Sequence, residues 1–272
     1  MGKVDTPVAP SRTGLVRAVL VFGAGLTTLA VAVVLSLVMG SRPTPPADVW
    51  AVFTGEADAY TVTVVESRYP RTLLGLVTGA ALALAGTLRQ GITRNPLADP
   101  GLLGVNAGAA AAVVTATALF GSTSIAGTVW WALPGALIAG LAAYTVGSSG
   151  GDGGMVRLVL AGAVVSAVLT AYVQAVALSM PETFDGYRYW VVGSLGGRGY
   201  DVVWSVLPVI GCGVVLALAV CGGLNALALG EEAAVATGAN TVWIRSCGLL
   251  AGTMLAAGAT AAAGPIAFVG LA

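Results

Sequence analysis

The sequence is nearly bare of side chains that do covalent chemistry. It has no histidine, and its single lysine, Lys3, stands close to the N-terminus. Histidine-based triads, HExxH zinc sites and haem ligation through histidine are excluded together. A phosphate-binding P-loop needs a lysine directly after its glycines. The Gly-rich stretch Gly147 to Gly154 therefore reads as a flexible linker, and the chain itself is no conventional P-loop ATPase. Cys212, Cys221 and Cys247 all fall in or beside apolar runs, where cysteine behaves as a small buried hydrophobe. No disulfide, metal site or cofactor is expected.

What remains is the chemistry of recognition. Arg68 and Arg71 stand three residues apart, and a guanidinium fork can bind a carboxylate bidentately or snorkel to lipid headgroups. Asn95-Pro96 and Asp99-Pro100 break a helix, because proline disfavours helical geometry in the residue before it and lacks an N–H. They form either a plain turn or a rigid corner. Glu231 and Glu232 near the start of a short helix are favourable with its dipole. Asn106 and Gln174 are polar positions inside apolar runs, where they act as interhelical glue or line a pathway.

The elements that must carry these residues follow from hydropathy. Of 272 residues 57% are hydrophobic and 9% charged, against about 25% charged in a soluble domain. Residues 18–41, 72–88, 100–151, 158–181, 202–230 and 246–272 contain no Asp, Glu, Lys or Arg. Roughly 20 apolar residues cross a bilayer as a helix. The run 100–151 is too long for one crossing and is broken at Gly121-Ser122-Thr123-Ser124, which gives seven predicted spans. Barrels need short segments of alternating polarity, whereas these runs are continuous and rich in Ala, Leu, Val and Gly. The predicted fold is all-α, a polytopic integral membrane bundle whose 39 glycines let helix backbones approach closely. The run 18–41 exceeds a secretory h-region and reads as a retained first span. Zero net charge leaves no electrostatic footprint for nucleic acid.

With a cytoplasmic N-terminus, alternating spans put Arg89, Arg94, Arg157 and Arg245 inside with Lys3, Arg12 and Arg17, and Arg42, Arg68, Arg71, Arg188 and Arg198 outside. That is a small positive-inside excess. The outer segments 41–71 and 181–201 carry interface aromatics, among them Trp50, Phe53, Tyr60, Tyr189 and Trp190.

Three stretches are too particular for composition to explain. The first runs from Arg68-Tyr69-Pro70-Arg71 through Gly79 to Gly86 and on to Asn95-Pro96-Leu97-Ala98-Asp99-Pro100-Gly101-Leu102-Leu103-Gly104. The second is Leu224 to Ala234, ending at Thr237-Gly238, and the third is Ala263-Gly264-Pro265-Ile266-Ala267-Phe268-Val269-Gly270-Leu271. In this order they resemble the FecCD-type permeases, the membrane subunits of bacterial ABC importers for ferric siderophores, haem and cobalamin, from about Glu66 onward.

The resemblance implies a transport subunit, not an enzyme, in the bacterial plasma membrane. It implies a second permease subunit, cytoplasmic ATPase subunits, an extracytoplasmic substrate-binding protein and lipid as partners. Residues 1–17 would be a cytoplasmic tail and 18–272 the permease domain. In it, Arg68 and Arg71 would dock the binding protein. Asn95, Pro96, Asp99 and Pro100 would form an inner-face corner. Trp190, Gly193 and Gly196 would belong to an outer gate or an interface anchor. The segment 225–245 would couple to the ATPase through Leu227, Leu229, Gly230, Glu231, Glu232, Ala233, Ala234 and Gly238.

Such permeases usually have about ten spans, and Ala267 stands where they commonly have glycine. The chain stops within the third motif, so the expectation is that residues 1–272 alone insert without supporting uptake. The alternatives are a non-transporting remnant, an intramembrane enzyme, or a secondary transporter, which would want ionisable residues within its spans.

Overall fold

Apolar helices dominate because backbone polar groups in hydrocarbon must be satisfied within the segment. In a computed structural model, the described residues are 12–40, 43–96, 98–121, 124–148 and 154–266. Among them are eleven α-helices: α1 (Arg12–Val38), α2 (Pro46–Thr54), α3 (Ala59–Glu66), α4 (Tyr69–Thr93), α5 (Val105–Phe120), α6 (Ile125–Ser148), α7 (Gly154–Ser179), α8 (Pro181–Val191), α9 (Tyr200–Ala228), α10 (Glu231–Ala236) and α11 (Thr241–Ala263). A single 3-10 turn, Pro100–Leu103, precedes α5, and no strand occurs among these residues. The N-terminal tail to residue 11, Ser41, Arg42, Leu97, Ser122, Thr123, the linker core 149–153 and the third motif from Ala267 onward lie outside the described residues.

The chain divides into two compact units, residues up to Thr72 and residues from Leu73. In the first, α1 is exposed almost throughout, with Phe22, Leu26 and Val31 open to the surroundings, as suits a helix facing lipid. Its last turn joins a small core of Leu37, Val49 and Val65, against which Val38, Val52 and Tyr69 pack. The outer segment predicted between the first two spans is largely helical. Pro46 starts α2 at a position where a missing N–H costs nothing. Asp58 caps α3 by accepting from the backbone N–H of Thr61 at 3.3 Å and its hydroxyl at 2.5 Å, which holds its carboxyl below the usual carboxylate range.

In the second unit α11 is the most enclosed span, with 78% of its apolar window buried, and it packs on α9, α6 and α5. Small residues make this possible: Gly248, Ala251, Gly252, Ala256, Ala257, Ala259 and Ala261 to Ala263 are all buried along it. A Cβ on Gly248 would stand 2.6 Å from Ile92, and one on Gly258 2.6 Å from Ile210. In lipid such close packing substitutes for the hydrophobic effect between helices. The hairpin of α5 and α6 crosses at Gly108 and Gly135, where a Cβ on either would sit 2.4–2.5 Å from the other's carbonyl oxygen.

One expectation is refined and one is corrected. Seven spans are predicted; among the described residues six helices are long and apolar enough to cross a membrane, and Val105–Phe120 is a seventh, shorter apolar helix. The seventh run becomes α5, whose 16 residues cover about 24 Å against a hydrocarbon core of about 30 Å. The remainder of that run before the break at Gly121 is the 3-10 turn Pro100–Leu103 and Gly104, which lead into α5. Spans free of ionisable residues are also expected, but α4 continues past Leu88 to Thr93 and takes in Arg89, which is 3% exposed. No proline stands between Leu88 and Asn95-Pro96.

Candidate functional site

Arg68 and Arg71 follow α3 by a short turn and come back onto the C-terminus of α1. A helix end leaves its last carbonyls without partners, and the two guanidinium groups supply them. Arg68 Nη1 donates to Leu37 O and, at 2.8 Å, to Val38 O. Arg71 Nη2 donates to Ser36 O and, at 2.8 Å, to Met39 O. Arg68 is 6% exposed, Arg71 is half-buried, and Ser36 and Thr72 share a hydroxyl hydrogen bond of 2.7 Å. The pair is thus a double cap on α1, a role that sequence spacing does not signal because the acceptors lie about 30 residues away.

The predicted corner divides in two. Arg94, with φ of 50°, ends α4 in the left-handed region that a non-glycine residue rarely adopts. Arg94, Asn95 and Pro96 are exposed, and Gln90 Nε2 donates to Pro96 O at 3.0 Å. From there the chain turns inward. Ala98, Leu103 and Val105 are buried, and Asp99 caps the 3-10 turn by accepting from Gly101 N at 2.7 Å. Gly104 has φ of +76°, and a Cβ there would stand 3.2 Å from Val165 and 3.3 Å from Ser166, halfway along α7. The left-handed conformation favours glycine at this point, and a side chain there would press on α7. The stretch 98–104 is therefore re-entrant, and irregular backbone at this depth is tolerated only when enclosed by protein.

Polar contacts fasten this stretch to α11. The Thr260 hydroxyl donates to Asn106 Oδ1 at 2.7 Å, and Asn106 Nδ2 donates to Ile266 O at 3.4 Å. Arg89 Nη2 donates to the Thr253 hydroxyl at 3.3 Å. Asn106 thus has the gluing role expected from its position, while Arg89 was hidden by being read as a loop residue. Gln174, on α7, takes no part in these contacts.

At the end of the second unit where α4 and α9 finish and α11 begins, Arg94 Nη2 donates to Leu227 O. Beyond it Gly230, at φ +121°, turns the chain into α10. Ala234 is fully buried and Leu227 nearly so, whereas Leu229 is 78% and Val235 59% exposed. Glu232, Ala233 and Gly238 are exposed too, and Glu231 opens the helix. The structure thus brings the Arg94 to Pro96 turn and the predicted coupling segment to the same end of the bundle.

The predicted gate residues lie at the other end of α11. Trp190 is 4% exposed. Ser194 N donates to Ala263 O at 2.9 Å, and Gly193, at φ +71°, faces Gly264, at φ +90°. A Cβ on Gly264 would lie 2.7 Å from both Gly193 Cα and Trp190 O. Gly196 closes a tight turn through Ser194 Oγ at 3.0 Å. Arg198 donates through Nε to Ser194 O at 2.6 Å, and its burial lowers its pKa from the ordinary guanidinium value. Tyr189 is exposed and holds Arg188 over its ring, 5.0 Å from the centroid.

Among the described residues no group of three or more His, Cys, Asp or Glu side chains could hold a metal ion, and the three cysteines are free thiols. The arrangement is one of helix ends, turns and packed small residues rather than of acids, bases and nucleophiles.

Residues 28–272 match the FecCD transport family. The chain is 45% identical over 249 residues to the ferric enterobactin transport system permease protein FepD of Escherichia coli (strain K12), covering 90% of this chain and 74% of that protein. It is 38% identical over 204 residues to the Fe(3+)-citrate import system permease protein YfmD of Bacillus subtilis (strain 168), covering 75% of this chain and 60% of that one. The cobalamin import system permease protein BtuC of Halobacterium salinarum is 33% identical over 260 residues, with 91% and 70% covered. Among solved structures, an inward-facing metal-chelate type ABC transporter superposes with a TM-score of 0.71 at 26% identity, covering 93% of this chain and 78% of that one.

Proposed function

The chain belongs to the FecCD transport family, and from that membership we propose that it is the transmembrane permease subunit of an ATP-driven importer carrying a ferric siderophore or related metal chelate across the bacterial plasma membrane. The observation that carries this is the 45% identity to a ferric enterobactin permease, sustained over 249 residues.

The subunit does no covalent chemistry. A second permease subunit completes the pathway, separate ATPase subunits supply the energy, and an extracytoplasmic binding protein delivers the chelate. The exposed apolar side chains of α10, Leu229 just before it and Val235 on it, support its docking into a groove of the ATPase. Its fully buried Ala234 supports transmission of that motion into the bundle. Of the two arginines, the half-buried Arg71 suits contact with the binding protein better than the buried Arg68. The seam of Trp190, Gly193 and Gly264 is a gate that opens by parting two closely apposed backbones. Nucleotide state then selects between outward-open and inward-open arrangements through differential contacts at α10.

The test is deletion in the chain's own cells. Uptake of a radiolabelled ferric siderophore should be lost and return with a plasmid copy. Unchanged uptake of every ferric chelate and of cobalamin after deletion would overturn the proposal.

A further inference from the structure

A helix that closes on a left-handed residue normally closes on glycine, which carries no Cβ penalty there. Helix α4 ends at Thr93 and is followed by Arg94 at φ 50°, and among the described residues every other position at positive φ is a glycine. A non-glycine residue persists in this region when its surroundings fix it, and such residues gather at functional and switch segments. What arginine has and glycine lacks is a side chain, so the reason for arginine at this position lies in what that side chain reaches.

It reaches the base of α10. Arg94 Nη2 donates to Leu227 O, and the same carbonyl accepts from Gly230 N at 3.2 Å. A carbonyl oxygen has two lone pairs, so the N–H of the turn already satisfies this acceptor and the guanidinium is an added fastening. Gly230 O in turn accepts from Ala234 N at 2.9 Å, and Ala234 O accepts from Ala239 N at 3.0 Å. The hydrogen bonds thus run from Arg94 through the turn between α9 and α10 and along α10 itself.

The two ends of this fastening differ in freedom. Gly230, at φ +121°, has open space where a Cβ would stand, so glycine serves there for backbone rotation and not for close packing. A turn of that kind absorbs motion. The end of α4 is firmly seated: Ile92 is 3% exposed, and its Cδ1 would lie 2.6 Å from a Cβ on Gly248 of α11. Arg94 therefore ties a swivel to a fixed helix end.

We propose that Arg94 is a positioning residue for coupling, tying the turn between α9 and α10 to the end of α4 so that a displacement of α10 enters the bundle instead of being spent at Gly230; this role rests on the function proposed above. Coupling between distant sites is carried by contiguous contacts of this sort. A cap that is merely structural would reveal itself by lost stability on removal. Here glycine suits the backbone at position 94 and Leu227 O keeps Gly230 as a donor, so Arg94→Gly should break the tie without lowering stability.

The experiment compares Arg94→Gly, Arg94→Met and Arg94→Lys in two arms. The first reads amide hydrogen exchange in the lipid-reconstituted chain. Arg94→Gly and Arg94→Met should each speed exchange at Gly230 and Ala234 about fivefold or more, with residues 249–260 of α11 unchanged. The thermal unfolding midpoint of Arg94→Gly should equal the parent's. Lysine can give one donor to one carbonyl, so Arg94→Lys should stay within about twofold of the parent. The second arm places the chain, purified with its ATPase subunits from native membranes, in proteoliposomes with the binding protein and reads uptake of a radiolabelled ferric siderophore per ATP hydrolysed. That ratio should fall about fivefold or more in Arg94→Gly and recover in Arg94→Lys. Unchanged exchange in Arg94→Gly, no rescue by lysine, or a lowered midpoint in Arg94→Gly would overturn the tie. Should Arg94→Met fail to reach the membrane, Arg94→Gly decides by the same criterion. A parental ratio in Arg94→Gly, with exchange raised, would overturn the coupling role and leave the transport function intact. If exchange follows the expected pattern while the parent chain binds no ATPase and takes up no chelate, the transport function fails and the tie stands.

Discussion

Arginines carry much of the specific structure in a chain with 9% charged residues, several of them by serving backbone at a helix end or a buried polar partner. Arg68 and Arg71 close the C-terminus of α1. Hydrogen bonds from charged donors contribute about 1.5–3 kcal/mol each, and a buried acceptor left alone costs its full desolvation. Replacing Arg68 by Met should lower the unfolding midpoint of the reconstituted chain by about 5 °C, and Arg71→Met should do less because its site is wetter. Equal, negligible shifts in both would assign the caps no energetic role. In the second unit, a Cβ on Gly264 would face backbone atoms at 2.7 Å, which cannot rotate away as a side chain would. Gly264→Ala should therefore push the loop after α8 outward, seen as faster protease cleavage between residues 192 and 199. Cleavage at the parental rate would show that the loop does not depend on that contact.

Among the elements, α10 is too short to persist alone and owes its place to Ala234, whose methyl is fully enclosed. Ala234→Trp should unseat α10 and lose ATPase co-purification at normal membrane abundance, since overpacking of a tight contact is costly. Ala233→Trp, on the exposed face, should leave α10 folded and weaken the ATPase contact alone. Coupled transport unaffected by either would make the segment an ordinary loop. The helical nature and approximate bounds of the long elements were legible in their uncharged runs. The re-entrant stretch was not, because apolar run 100–151 has nearly uniform hydropathy and nothing in it states that part is inserted backbone. The signals present were local: Asp99-Pro100 for a cap and turn, and Gly104 for a left-handed residue against α7. Arg89 escaped for the opposite reason, since spans defined by missing charge cannot contain one. The arginine caps and the Gly193 to Gly264 seam join residues about 30 and about 70 positions apart, which periodicity cannot reveal.

For the whole molecule, the all-helical membrane fold follows from composition, whereas the energy source proposed for it is a separate subunit. Sidedness is testable in a cysteine-free background: Asp185→Cys, on the exposed side of α8, should label from outside the cell, and Thr237→Cys, just beyond α10, from the cytoplasm. Thr183, in the same outer segment, is 6% exposed and should resist labelling. The reverse pattern at 185 and 237 would invert the topology. The central claim is that an external ATPase drives this bundle through α10, and photo-crosslinking in native membranes tests it most directly. A photoreactive amino acid at Leu229 or Val235, 78% and 59% exposed, should form a covalent product with the ATPase subunit whose yield changes with ATP, and one at buried Ala234 should not. Absence of any ATPase product from positions 229 and 235, with the chain at normal abundance and the ATPase present, would contradict the account.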